Sequence, residues 1–196
     1  MPQRQACRGG FIVAIWNIVS PIDEKIRKKL CAGDSISLSG VIYTARDAAH
    51  KLLVEALAGG TPLPFERMGQ TIYYMGPTPA RPGQVIGSCG PTTSSRIDAF
   101  TPALLAAGLG AMIGKGERSA EVREALKKHH AVYLVTYGGA GALLAKTVRK
   151  AETIAFPELG AEAIMRLEVE DFPVIVANDT RGGDLFEEQI AKYRRK

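Results

Sequence analysis

The stretch "SISLSGVIYTARDAAHKLLVEALA", residues 35–58, runs directly from a strand pattern into a helix pattern. Apolar side chains alternate with small polar ones over residues 35–43, which favours a strand because its side-chain period is two residues. Apolar side chains three or four residues apart then predict an amphipathic helix over residues 45–58. Hydroxyl side chains favour the position before a helix, so we expect Thr44 to cap it.

The same alternation of strands and helices continues outward from this stretch. Further helices are predicted at 22–30, 95–107, 118–129 and from Asp184, and further strands at 71–75, 131–137, 152–156, 163–172 and 173–179. The pattern indicates an α/β domain in which a mixed sheet is flanked by helices. The sequence shows neither a break in composition nor a repeat of fixed period, so we predict one domain over residues 21–196 after an N-terminal extension, residues 1–20.

The apolar run within that extension, Phe11–Val19, is interrupted by Asn17. It is too short to span a bilayer, which takes about 20 apolar residues, and no clean cleavage site for a signal peptide follows it. We expect it to be a first strand or a segment that packs against a partner, and we expect no membrane association.

Composition narrows the class of protein. The net charge is +5, but the basic runs at 25–29 and 192–196 are typical of solvated surface and carry no interleaved aromatic side chains, so nucleic acid is not an expected partner. Three cysteines, Cys7, Cys31 and Cys89, show no CxxC or CxxH spacing, so we predict no metal or iron–sulfur site within this chain. Their sparse use favours a reducing compartment, and we expect the cytoplasm.

A loop rich in hydrogen-bond donors, "GSCGPTTSSRID" at residues 87–98, precedes the helix predicted at 95–107. A helix N-terminus offers unpaired N–H groups, and the guanidinium of Arg96 matches a carboxylate or phosphate, so the loop is a candidate anion site. Gly90 is expected to allow close backbone approach. The alternative is that one hydroxyl caps the helix and Arg96 pairs with an acidic side chain of the chain itself.

Arg46 repeats this arrangement in the first turn of the helix at 45–58. A positive charge is unfavourable at a helix N-terminus, so an anion is expected to complete the site. Two such sites suggest a ligand with two acidic groups. Alternatively, Asp47 neutralises the helix end, and His50 is a half-buried polar contact on the helix face.

Two glycine-rich stretches complete the candidates. Lys115 in "IGKG", residues 113–116, either presents a cation into a cleft or is an exposed turn lysine. The stretch "TYGGAGALLAK", residues 136–146, predicts close packing at the start of a helix. The P-loop and dinucleotide-binding patterns are absent, and we expect Cys89 to be a buried, unreactive thiol.

Four stretches in this order resemble a known family, namely "GVIYTARDAAHK" (40–51), "GPTTSSRID" (90–98), "IGKG" (113–116) and "AVYLVTYGGAGALLAK" (131–146). They resemble the beta subunit of iron–sulfur-dependent hydro-lyases, the class I fumarate hydratase and L-tartrate dehydratase beta-type chains. The resemblance covers about Ile22 to Arg181.

The resemblance implies a swivelling β/β/α domain that works beside an alpha subunit carrying a [4Fe-4S] cluster on its own cysteines. It implies reversible hydration of a C4 dicarboxylate, in which an iron of that cluster acts as a Lewis acid. We therefore expect a hetero-oligomer without turnover by this chain alone, and the isolated chain as a homodimer is an alternative.

Matched by position to the family, Arg46 and Arg96 are expected to bind the substrate carboxylates. Thr92 corresponds to the proposed base that removes the C3 proton, Lys115 corresponds to a lysine at the substrate site, and Thr93 would help to orient these groups. The expected reaction is fumarate to malate. The alternatives are tartrate to oxaloacetate, or a module that binds small anions without catalysis.

Overall fold

The computed structural model describes residues 15–194, in which strands and helices alternate. The strands are β1 (Ile15–Ser20), β2 (Ser35–Thr44), β3 (Thr71–Tyr73), β4 (Ala111–Gly114), β5 (Val132–Val135), β6 (Val148–Ala155) and β7 (Ile164–Asn178). The helices are α1 (Glu24–Arg27), α2 (Asp47–Ala58), α3 (Thr101–Ala106), α4 (Ala120–Lys128), α5 (Gly141–Ala145) and α6 (Leu185–Tyr193), with 3₁₀ turns at Ser94–Ile97 and Pro157–Glu162.

The sheet is mixed, as predicted. Strands β1 to β5 lie side by side in chain order and run parallel, whereas β7 pairs antiparallel with β2, β5 and β6. Because β7 pairs with both β2 and β5, the strands β2, β3, β4, β5 and β7 form a closed ring. The sequence therefore predicted the α/β class with flanking helices correctly.

The two faces of this sheet bury separate cores. Along β4, Ala111 and Ile113 point to one side and Met112 to the other, the alternation inherent to a strand. Met112 packs in a cluster with helix residues such as Leu53 of α2 and Leu126 of α4. Ile113 joins the second cluster, which is built mostly from strand residues. The result is a layer of helices over one face and strands packed on strands at the other.

Strand β1 lies at the edge of the sheet. Residues 15–20 pair in parallel with residues 35–40 of β2, in agreement with the expectation of a first strand. Thus part of the predicted extension belongs to the sheet, and the rest of the extension, residues 1–14, lies outside the described residues. Across residues 15–194, no helix combines the length and the apolar character needed to cross a membrane.

Thr44 does not cap α2, which corrects one expectation. It is the last residue of β2, and its Oγ1 accepts from the N–H of Met165 at 3.0 Å. The helix instead begins at Asp47, and the carboxylate of Glu162 accepts from the N–H of Ala48 at 3.0 Å. A carboxylate distant in sequence therefore occupies the helix N-terminus.

The predicted helix over 95–107 is also wrong in detail, because it is interrupted. A 3₁₀ turn covers Ser94–Ile97, and α3 begins only at Thr101. Pro102 lacks the N–H that would bond to the carbonyl of Asp98 in a continuous α-helix, whereas proline is tolerated in the first turn of a helix that begins at Thr101. The loop 87–98 consequently leads into a tight turn, not into the N-terminus of a long helix. In the C-terminal part, the two strands predicted over 163–179 are a single strand, β7.

Candidate functional site

The candidate residues follow strands at one edge of the sheet. Arg46 lies two residues after β2, and Lys115 directly follows β4. Between them in the sheet, β3 leads at Tyr74 into a loop that contacts both segments. Carboxyl ends of parallel strands meet at one edge, where α/β proteins commonly bind their ligands. The topology thus collects residues that are up to 69 positions apart in sequence, from 46 to 115.

The loop 87–98 is tied to this edge by backbone hydrogen bonds. Thr92 donates its N–H to the Tyr74 carbonyl at 2.6 Å, and its own carbonyl accepts from the N–H of Lys115 at 3.2 Å. Thr93 forms a parallel bridge with Lys115. These bonds bring Thr92, Thr93 and Lys115 together, and the side chains of Thr93 and Lys115 are exposed to solvent.

Each arginine already has a carboxylate partner. Arg46 Nη2 lies 3.3 Å from Oε1 of Glu162, the same side chain that occupies the start of α2. Arg96 donates from Nε to Oδ1 of Asp47 at 3.0 Å. The carboxylates that contact the two arginines thus belong to the chain itself, as in the alternative in which Arg96 pairs with an acidic side chain.

The two arginines are nevertheless neighbours. Asp47, which binds Arg96, directly follows Arg46 in the chain. The side chain of Arg96 is 52% exposed, so about half of it remains accessible to solvent. Arg46 Nε and Asp47 Oδ2 are buried and lack a hydrogen-bond partner among the described residues. The donors of Arg96 that do not bind Asp47 therefore remain available to a further anion.

Close approach beneath the loop depends on Gly141, not on Gly90. A Cβ atom on Gly141 would lie 2.5 Å from Ser88 Oγ and 2.7 Å from the backbone nitrogen of Gly90. A Cβ atom on Gly90 would meet nothing closer than 3.7 Å, an ordinary contact. The glycine-entered helix α5 thus packs closely, as predicted, and its contact is with the loop 87–98.

A buried arginine that was not among the candidates from the sequence, Arg118, binds the C-terminal end of the loop 87–98. The Arg118 side chain is fully buried and donates to Asp98 at 2.7 Å and to Thr101 at 2.6 Å. Its guanidinium lies 5.4 Å from the ring centroid of Tyr74 and 4.9 Å from that of Tyr133. The sequence predicted Arg118 only as the first residue of the helix at 118–129, and tertiary packing reveals its burial.

His50 is fully buried, not half-buried as expected. Its Nδ1 donates to the Arg46 carbonyl at 2.9 Å. Its ring centroid lies 5.2 Å from that of Tyr74, and the two rings are arranged edge to face. Burial lowers the pKa of His50 to about 4, so the imidazole is uncharged at neutral pH. It therefore helps to hold the turn that carries Arg46 without adding charge.

The described residues offer no site for a metal or cluster. Within residues 15–194, no group of three or more His, Cys, Asp or Glu side chains is arranged to hold a metal ion. Cys89 is a free, buried thiol, and burial raises its pKa to about 11, so its thiolate is scarce at neutral pH. The expectation of an unreactive Cys89 agrees with this environment.

A cavity of about 430 Å³ opens beside the loop 87–98. It lies between residues 78–88 and the segment 142–148 that contains most of α5. Arg81 and Lys146 are among its lining residues, whereas Arg46, Arg96 and Lys115 are not. Of the five candidate residues, Thr93, Arg96 and Lys115 are exposed, and Arg46 and Thr92 are half-buried.

Comparisons with known proteins agree with the sequence resemblance. A family model described as "Fumarase C-terminus" matches residues 13–189. Fumarate hydratase 2 of Leishmania major is 40% identical over 177 residues, 87% of this chain and 31% of that protein. The aerobic class I fumarate hydratase of Escherichia coli K12 is 43% identical over 156 residues, 78% of this chain and 28% of that protein.

A third relative has nearly the same length as this chain. It is named L(+)-tartrate dehydratase subunit beta, from Methanocaldococcus jannaschii, and is 38% identical over 181 residues, 89% of this chain and 93% of that protein. The chain thus spans about a third or less of the two fumarate hydratases, but nearly all of a protein named as a separate subunit.

Proposed function

Because the chain belongs to the Fumarase C-terminus family, we propose that it is the beta subunit of a two-subunit hydro-lyase that reversibly hydrates fumarate to malate. The observation that carries this proposal is that Thr92 and Thr93 pair with Lys115 beyond β4, while Arg96 of the same loop binds Asp47, the residue after Arg46 beyond β2. Two arginines held near each other in this way suit a substrate with two carboxylates.

Arg46 and Arg96 bind the two carboxylates in this proposal. A guanidinium has five N–H donors, and the pairs with Glu162 and Asp47 occupy only part of them. The intramolecular carboxylates then fix the direction of each arginine, and the remaining donors bind the substrate. Such positioning lowers the entropic cost of the reaction, since the reacting groups are aligned before chemistry.

Thr92 acts as the base toward C3 in the direction from malate to fumarate. It takes the C3 proton, the C–H electron pair forms the double bond, and the C2 hydroxyl leaves. A threonine hydroxyl is a very weak acid, so its alkoxide needs nearby positive charge and a dry site. Lys115 and Arg96 supply the charge, and we assign the departure of the hydroxyl to the partner, not to a residue of this chain.

We place the [4Fe-4S] cluster on an alpha subunit, since the described residues of this chain do not fit one. There it would supply a Lewis acid to the reaction. The open surface around Arg96 and Lys115 supports a partner that covers the site and excludes water. In this proposal the two-subunit enzyme is soluble, and we expect the enzyme to work in the cytoplasm.

The test is anaerobic purification of the tagged chain with its partner, followed by assay of fumarate hydration. We expect Arg96→Ala and Arg46→Ala to raise the KM for fumarate about tenfold or more, because a hydrogen bond to a charged group contributes about 1.5–3 kcal/mol. Arg149→Ala is the control, since that arginine pairs with Glu170 on the surface at 2.7 Å. A complex without dicarboxylate activity, or with full activity after Arg46→Ala, would overturn the proposal.

Tartrate is the second candidate substrate, and the length match to the M. jannaschii subunit favours it. The same preparations should be assayed for dehydration of tartrate to oxaloacetate, because both substrates present two carboxylates and differ in hydroxyl number. A higher kcat/KM for tartrate would select this alternative. If the chain instead purifies without a partner and binds phosphate or fumarate without turnover, it is a non-catalytic anion-binding module.

A further inference from the structure

Both backbone polar groups of Lys115, its N–H and its carbonyl, are hydrogen-bonded, although its side chain is exposed. Its N–H lies 3.2 Å from the Thr92 carbonyl and 3.2 Å from Ser94 Oγ, and its carbonyl accepts from the N–H of Ser94 at 2.9 Å. The next carbonyl, that of Gly116, accepts from the hydroxyl of Tyr133 at 2.8 Å. A turn that only exposes a lysine to solvent does not need such a set of bonds.

The hydroxyl bonds around Lys115 can run in only one direction. A carbonyl only accepts, so Tyr133 gives its proton to Gly116. Ser94 Oγ lies 2.8 Å from Tyr133 Oη, and Ser94 must donate there because the tyrosine proton is already used. Ser94 Oγ in turn accepts from the N–H of Lys115. The result is a chain of three bonds that starts at the N–H of Lys115 and ends at the carbonyl of the next residue, Gly116.

This chain is shielded from water. Ser94 and Tyr133 are both fully buried, and the guanidinium of Arg118 lies 4.9 Å from the tyrosine ring centroid. Gly114 makes room for the serine, because a Cβ atom there would overlap Ser94 Oγ. A fully satisfied buried network of this kind fixes geometry, since breaking any member leaves a buried polar group unpaired.

We infer that Ser94 and Tyr133 are positioning residues that hold the backbone of Lys115 and thereby aim its ammonium group at the substrate. The inference rests on the proposed function, in which Lys115 contacts the dicarboxylate. Neither residue touches the substrate in this scheme. Their effect passes through Lys115 alone, which makes it separable from a general effect on folding.

The experiment is a double-mutant cycle in the complete two-subunit enzyme. Tyr133→Phe keeps the ring and removes the hydroxyl, and we expect kcat to fall about tenfold, as for a small misplacement of a catalytic group. Lys115→Met removes the ammonium. In the Lys115→Met background, Tyr133→Phe should change kcat less than about twofold, because the group that it positions is gone.

Tyr73→Phe is the matched control. Tyr73 is equally buried and its hydroxyl also donates to a backbone carbonyl, that of Cys89 at 2.5 Å. Any effect of Tyr73→Phe on kcat should be the same with and without Lys115→Met. Thermal unfolding of every variant reports general damage, and Ser94→Ala provides the test if Tyr133→Phe does not fold.

The outcomes separate the inference from the function on which it rests. Coupling between position 133 or 94 and position 115 supports the inference. Equal effects of Tyr133→Phe in both backgrounds, with Lys115→Met of much reduced activity, would overturn the inference and leave the function intact. Full activity of Lys115→Met would instead show that Lys115 is not part of the site. It would overturn both the role proposed for Lys115 and the inference about Ser94 and Tyr133.

Discussion

Arg46 has a structural partner in addition to the substrate-binding role that we propose for it. Its guanidinium pairs with Glu162, whose second oxygen accepts from the N–H of Ala48 in the first turn of α2. A lone arginine at this position would oppose the helix dipole. The carboxylate of Glu162 compensates for the dipole and fixes the arginine, so a binding residue can stand where it would otherwise destabilise the helix.

Glu162→Ala should therefore affect both stability and substrate binding. We expect the free energy of unfolding to fall by about 1 kcal/mol, since the helix loses the group that caps Ala48. The KM of the complete enzyme for fumarate should rise, because Arg46 loses the partner that orients it. Urea unfolding and steady-state kinetics measure the two effects. Glu158→Ala, an exposed carboxylate in the same 3₁₀ turn, is the control, and equal effects of the two substitutions would contradict this account.

His50 makes stability depend on pH. Burial lowers its pKa from 6.5 to about 4, the positive charge of Arg118 acts in the same direction, and the Arg46 carbonyl and Asp47 act in the opposite one. At pH values between about 4, the pKa of His50 in the folded chain, and 6.5, its ordinary pKa, the unfolded chain binds a proton that the folded chain does not. The free energy of unfolding therefore falls as pH falls. From about pH 7.5 to about pH 5 we expect a loss of about 2 kcal/mol from this residue.

Urea unfolding at both pH values measures that loss. His50→Gln should reduce the loss, whereas the much less buried His129→Gln should leave most of it. An unchanged difference between the two pH values in His50→Gln would show that another group causes it.

At the scale of elements, the sequence predicted the features that periodicity determines. The strand β2 and the helix α2 were found because one segment carries both periods without interruption. The break between the 3₁₀ turn at Ser94–Ile97 and α3 was missed, although Pro102 marks it. The pairing of Arg46 with Glu162 and the burial of Arg118 depend on contacts distant in sequence, and no local pattern reports them.

The contact between α5 and the loop 87–98 gives a prediction for this scale. Alanine within a helix is normally better than glycine by about 0.5–1 kcal/mol. Gly141→Ala should nevertheless destabilise the protein by about 1–3 kcal/mol, because its Cβ would lie 2.7 Å from the backbone nitrogen of Gly90. Gly90→Ala, with 3.7 Å of space, should be tolerated. Thermal unfolding of both variants measures the change in stability. A Gly141→Ala variant as stable as the unmodified protein would contradict the prediction and mean that the loop 87–98 moves freely.

For the whole molecule, the closed ring of strands explains why an exposed site can be rigid. The strands β2, β3 and β4 cannot separate without breaking pairs with their neighbours, so the segments that follow them keep a fixed spacing. The sheet thus arranges Arg46, Arg96 and Lys115 but leaves Arg96 and Lys115 exposed. The proton removal that we propose for Thr92 needs a dry surrounding, which this surface alone does not provide.

The isolated chain should therefore show no turnover, while the same preparation becomes active when the alpha subunit is added under anaerobic conditions. The relatives support this division, since the match covers 31% and 28% of the two fumarate hydratases but 93% of the tartrate dehydratase subunit. Fumarate hydration is followed for the chain alone, the partner alone and the mixture. Because Lys115 acts on bound substrate in the proposed function, we expect a mixture made with Lys115→Met to assemble normally and lose most of its activity. Steady turnover by the chain alone, free of other proteins, would show that this chain contains a complete catalytic site.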